Sequence, residues 1–109
     1  MSDNAGTWHK VAKVNDIAAG EIVGAEVGDT NVALYNLDGT IYATDNICTH
    51  AFAMLSDGWV SGDAVECPLH GGRFEIKTGK ALGDPVECDI ATFPVRVVGD
   101  DVEVLLPAT

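Results

Sequence analysis

Cys48-Thr49-His50, then residues 51 to 66, then Cys67-Pro68-Leu69-His70-Gly71-Gly72-Arg73-Phe74-Glu75: the rest of the chain can be organised around this stretch. Each half offers one thiolate and one imidazole, separated by one residue in the first half and by two in the second. Each is therefore a short loop that presents a soft ligand beside a borderline one. Four such ligands could close on a single zinc ion, since tetrahedral Cys2His2 sites are common structural zinc sites. Zinc modules of that composition usually pair Cys with Cys and His with His, whereas both loops here are mixed. Mixed loops suit a two-iron, two-sulfide cluster in which one iron takes both cysteines and the other takes both histidines.

Cys48-x-His50 and Cys67-Pro68-x-His70-Gly71, sixteen residues apart, resemble the Rieske signature. With Ser56-Asp57-Gly58 and Gly72-Arg73-Phe74 beside them, they are similar to the small Rieske-type ferredoxins of bacterial aromatic-ring-hydroxylating dioxygenases, the naphthalene and biphenyl systems among them. The resemblance runs from about Trp8 to Leu106. It implies one [2Fe-2S] cluster held by Cys48, His50, Cys67 and His70, with the histidines on an outer iron and the cysteines on an inner, more buried one. It also implies that the proline-containing segment at Pro85 lies against the cluster.

The 109 residues make one domain, large enough to bury a core without disulfide staples. Two of the three cysteines are committed to the cluster, so Cys88 is left alone as a small, partly buried residue. This usage fits a reducing compartment, and no signal-like segment or membrane-length apolar run is found. A cytoplasmic location is expected. Seventeen acidic residues against six basic ones give a formal charge of −11, which repels nucleic acid and anionic lipid and favours partners with positive patches. The same charge also serves solubility.

Residues Trp8 to Val14 and Ile22 to Val27 read as strands around a turn at Asp16 to Gly20. Asn31 to Leu37, the dipeptide Asp38-Gly39 and Thr40 to Thr44 read as a hairpin with a type I′ turn, because both turn residues tolerate positive φ. His9 falls in the first strand and is read as a surface or core histidine rather than a fifth ligand. After the first ligand loop, Ala51-Phe52-Ala53-Met54-Leu55 is an apolar patch that covers the cluster, with Phe52 also a candidate docking residue. Trp59-Val60 and Asp63 to Cys67 are two short strands, and Arg73 to Ile76 is another. Ile90 to Val98 and Val102 to Leu106 form a closing hairpin. The expected class is all-β. By the resemblance it is a Rieske-type fold in residues 1–109, an antiparallel sandwich-like base with an inserted small β cluster-binding subdomain at about residues 45–85.

Two imidazoles in place of two thiolates leave the oxidised centre formally neutral, so it accepts an electron more readily than an all-cysteine cluster. The chain is read as an electron carrier and not an enzyme. The resemblance implies transfer from a flavin-dependent ferredoxin reductase to a terminal oxygenase in aromatic hydrocarbon catabolism. The alternatives are a Rieske-like small subunit of a nitrite reductase and a structural Cys2His2 zinc module. A terminal oxygenase would need two further histidines for a mononuclear iron, and only His9 is left over. The high-potential members of the family carry an extra cysteine in each loop, where this chain has Ala53 and Leu69. They also carry hydroxyl donors at positions matching Gly72 and Phe74. Without those donors the potential should lie at the low end of the Rieske range, roughly −150 mV.

Overall fold

The computed structural model describes residues 6–28, 30–47, 53–68, 71–82 and 89–106. Ten strands are found in them, in three antiparallel sheets, with helix confined to single 3-10 turns at Val14–Asp16 and Leu55–Asp57. The all-β expectation holds.

The middle sheet is built on the predicted hairpin. Strands β2 (Ile22–Val27), β3 (Thr30–Leu37) and β4 (Thr40–Asp45) run in sequence order, and Leu37 pairs with Thr40 across the turn. Asp38 takes φ 55° and Gly39 φ 93°, the double positive φ that a type I′ turn demands. Asn36 ties the hairpin down, accepting from the Gly39 N–H at 2.7 Å and donating to the Ile17 carbonyl at 2.8 Å.

Strand β3 is buried on both faces, and its alternation sorts residues into two cores. Val32 and Leu34 join Ile17, Ile41, Ala43, Val102, Val104 and Leu106, while Ala33 and Tyr35 join Leu55, Val65, Cys67, Phe74, Ile76 and Ile90. The first core lies under a sheet of the two chain ends, and the second lies under a small sheet that carries the second ligand loop. That small sheet is β5 (Trp59–Ser61), β6 (Ala64–Glu66) and β7 (Arg73–Glu75). Tyr35 closes the second core with a polar contact, its hydroxyl 2.8 Å from Thr44 Oγ1. Burial pushes the phenol pKa well above its ordinary value, so the hydroxyl keeps its proton.

At the chain ends the structure adds one pairing to the sequence reading and corrects one strand. Strand β1 (Thr7–Lys13) pairs with β10 (Asp101–Leu106) at the far end of the chain, with a bulge at Val11 between Lys10 and Ala12. The run Ile90 to Val98 is also not one strand. It divides at Pro94 into β8 (Thr92–Phe93), paired with β4 in the middle sheet, and β9 (Val95–Val98), paired with β10. Proline has no N–H to continue a ladder, so the chain changes sheet there while the Pro94 carbonyl still accepts from the Leu105 N–H at 3.0 Å.

Lys10 and Lys13 each reach Asp101 Oδ1 at 3.3 Å where β1 meets β10. The ammonium groups of Lys13 and Lys10 beside it hold the Asp101 carboxyl below its ordinary 3.8. A lowered folded pKa stabilises the fold above the unfolded value, and that contribution is lost as pH falls through the folded one. The gap in denaturation midpoint between wild type and Asp101→Asn is therefore expected to shrink as the pH is lowered from about 5 to about 3. A gap constant over that range would show that the carboxylate charge is not what Asp101 contributes.

Candidate cluster site

Of the four expected ligands, Cys67 lies among the described residues, and Cys48, His50 and His70 lie outside them. So do Phe52, Leu69, Pro85 and Cys88. The structure therefore speaks to Cys67 and to the ends of the segments that carry the others.

Cys67 is 1% exposed and sits directly after β6 in the second core. Its N–H donates to the Gly72 carbonyl at 2.7 Å, and its carbonyl accepts from the Gly71 N–H at 3.2 Å. These two bonds close the second ligand loop into a tight reversal between β6 and β7. Gly71 takes φ 74°, a conformation that side-chain-bearing residues rarely adopt. Gly72 is buried but does not have positive φ, so its backbone would admit a serine.

The first ligand loop is closed at its neck. Ile47 and Met54 form an antiparallel bridge, and the Leu55 N–H donates to the Asn46 carbonyl at 2.8 Å. The Asn46 carboxamide donates to Ser56 Oγ at 2.9 Å and accepts from the Ser56 N–H at 2.8 Å. Ile47 N–H donates to Asp45 Oδ1 at 3.1 Å. The third segment, which leads to Pro85, departs from Leu82, whose N–H donates to the Arg73 carbonyl at 2.9 Å. Where the chain is described again, Asp89 Oδ1 accepts from the Ala81 N–H at 2.9 Å.

These necks share one core. Ala53 and Leu55 from the first, Cys67 and Phe74 from the second, and Ala81 and Ile90 from the third all pack in the cluster under β3. His9 lies elsewhere, in β1 opposite Val104, as its sequence position suggested. The ends of both ligand loops are thus brought to one place, with a buried thiol at the centre and backbone amides of the tight loop beside it. A soft thiolate donor held out of water fits the cysteine-bound end of an iron–sulfur cluster.

Two positions with a part in this geometry, Asn46 and Gly24, are not singled out by the sequence reading, and Gly58 enters it only through the family resemblance. A side chain on Gly24 would crowd Ser56 Oγ at 2.9 Å and Asn46 Nδ2 at 3.1 Å. A lone glycine inside a strand pattern is the available signal for such a close approach. On the outer face of the small sheet Trp59 pairs with Glu66, the residue before Cys67, and remains 50% exposed.

Residues 7–94 match the family model described as Rieske [2Fe-2S] domain. The ferredoxin component of the naphthalene 1,2-dioxygenase/salicylate 5-hydroxylase systems of a Ralstonia species is 50% identical over 90 residues, which span 83% of this chain and 86% of that one. The structure of Sphingomonas yanoikuyae B1 ferredoxin superposes with a TM-score of 0.88 at 38% identity, covering 93% of this chain and all of its own. A chain in the complex of reduced oxygenase and oxidized ferredoxin in carbazole 1,9a-dioxygenase matches with a TM-score of 0.84 at 37% identity, over 90% of this chain and 92% of that one.

Proposed function

This chain belongs to the Rieske [2Fe-2S] family, and from that membership we propose that it carries single electrons to the terminal oxygenase of a bacterial aromatic-ring-hydroxylating dioxygenase system. The observation that carries the proposal is the 50% identity to a ferredoxin component over most of both chains. We assign the donor as a flavin-dependent reductase and the setting as the cytoplasm. Among the described residues no helix is long and apolar enough to cross a membrane.

Cys48, His50, Cys67 and His70 are the proposed ligands, and about residues 45–85 the cluster-binding subdomain. When bound, the [2Fe-2S] group supplies a reversible one-electron couple. The protein's own part is to bury the cysteine side in the core under β3, to present the histidine side to a partner, and to set the potential. The chain is a carrier and does not itself hydroxylate a substrate.

The test is a coupled assay. Purified protein with its iron and sulfide measured should transfer electrons from NADH, through a flavoprotein reductase of such a system, to its oxygenase. With the charge at −11, turnover at limiting carrier is expected to fall several-fold as salt rises from low to moderate ionic strength, because attraction to basic partner surfaces is screened. A rate flat with salt would assign the acidity to solubility. A colourless, iron-free protein, or a loaded one that cannot support the oxygenase, would overturn the reading itself.

Phe74 offers a check on the potential. It is fully buried in the core that holds Cys67, and the resemblance places a hydroxyl donor of the high-potential members at this position. Phe74→Tyr adds one oxygen to a ring already in place. A hydroxyl that donates more strongly to the reduced, more negative state by about 1.4 kcal/mol would raise the potential by roughly 60 mV. An unmet buried hydroxyl would instead cost about 1–3 kcal/mol of stability and leave the potential alone. Protein-film voltammetry beside chemical denaturation separates the two. An unchanged potential would mean that this missing hydroxyl does not set the carrier's redox position.

A further inference from the structure

Asn46 is 2% exposed, and its polar atoms are all engaged. Its N–H donates to the Asn31 carbonyl at 2.9 Å in β3, and its carbonyl accepts from the Leu55 N–H at 2.8 Å. The carboxamide spends both its oxygen and its nitrogen on one residue, Ser56, ten positions further along the chain. A two-point bond of this kind fixes both distance and orientation, which a single bond or an apolar contact does not. Everything between these two residues is the first ligand loop. The bare Cα of Gly24 on β2 lies behind the pair, where a methyl group would press on Ser56 Oγ and Asn46 Nδ2. Three separate elements therefore meet at this neck. A leucine would fill nearly the same space without polar groups to satisfy, and a buried carboxamide is costly unless its bonds are met, so the polar pair has a use beyond packing.

We propose that Asn46 is a positioning residue for the first ligand loop: its paired bonds to Ser56, backed by Gly24, hold the two ends of the segment that carries Cys48 and His50 at one separation and orientation. The inference rests on the ligand assignment made above. Loosening the neck restores freedom to the loop and lowers retention of what the loop holds. Loss of a residue that orients metal ligands typically costs about 10–100-fold in affinity. Global stability should fall as well, and this is the effect that has to be separated.

The comparison uses loaded wild type, Asn46→Ala, Ser56→Ala and Val104→Ala. Val104 is fully buried in the other core, away from the loop necks, so its truncation destabilises the fold without touching them. Iron release to a chelator is followed well below the unfolding midpoint, and the electron paramagnetic resonance spectrum is recorded after reduction. Asn46→Ala is expected to release iron about tenfold faster than wild type with a broadened spectrum. Ser56→Ala, which keeps one of the two bonds, should fall between them. Val104→Ala should release at close to the wild-type rate with an unchanged spectrum, despite an equal or greater loss of stability. Release from Asn46→Ala no faster than from Val104→Ala, or an unaltered spectrum, would overturn the proposal. Should Asn46→Ala fail to accumulate as folded protein, the same two criteria applied to Ser56→Ala decide. Wild type lacking iron and sulfide would instead sink the ligand assignment, and this inference with it.

Discussion

His70→Cys is expected either to abolish cluster loading or to yield a cluster whose potential is lower by roughly 100 mV. Exchanging both imidazoles for thiolates spans the interval from the low end of the Rieske range, about −150 mV, to the about −400 mV of plant-type ferredoxins. One exchange should cover a substantial part of it, because a neutral ligand is replaced by an anionic one and the reduced state must carry the added charge. The bonds between Cys67 and the Gly71 and Gly72 backbones that close the loop involve no side chain of residue 70. Iron content, optical spectrum and voltammetry of the variant give the answer. A fully loaded protein with the wild-type spectrum and potential would remove His70 from the ligand set, and the cluster would then need a different fourth donor.

Gly58→Ala should cost about 3 kcal/mol, corresponding to a fall of roughly 10–20 °C in the unfolding midpoint, and should impair loading as well. The φ of Gly58 is −91°, so backbone strain is not the cause. The cause is proximity. A Cβ there would overlap the Glu66 carbonyl oxygen and come within 3.2 Å of Pro68 Cδ. Those atoms flank Cys67, and backbone on that side cannot rotate out of the way as a long side chain can. Relief would shift β6 and the start of the second ligand loop together. Thermal unfolding and iron content of Gly58→Ala test this, with Gly62→Ala as a control. Gly62 has open space around its Cα and a φ of 63°, so only conformational strain is expected there, about 1 kcal/mol. Equal effects at the two positions would show that the close approach at Gly58 is tolerated.

The Asp38-Gly39 hairpin, the short strands around the ligand loops and the all-β class were all legible from the sequence, because each depends on local chemistry. A type I′ turn is specified by two residues that accept positive φ, and both are found with it. The mixed Cys/His loops and their spacing likewise needed no coordinates, since ligand type and order within a loop are properties of the sequence.

What tertiary structure decided was pairing between residues far apart in the chain. β1 could not be assigned to β10 from its own pattern, because an amphipathic strand shows that one face is buried and not which strand lies beside it. Pro94 was visible as a residue without an N–H, but the change of sheet it permits depends on β4 and β10 both being at hand. Asn46 is the clearest case. Asparagine near a loop reads as turn chemistry, and only the folded chain brings Ser56 and Gly24 against its carboxamide. The Cys/His pattern by itself pointed to a two-iron cluster, since that reading rests on side-chain type and spacing. How firmly the first loop's ends are held was decided by contacts between separate elements, which exist only once the two cores under β3 have formed.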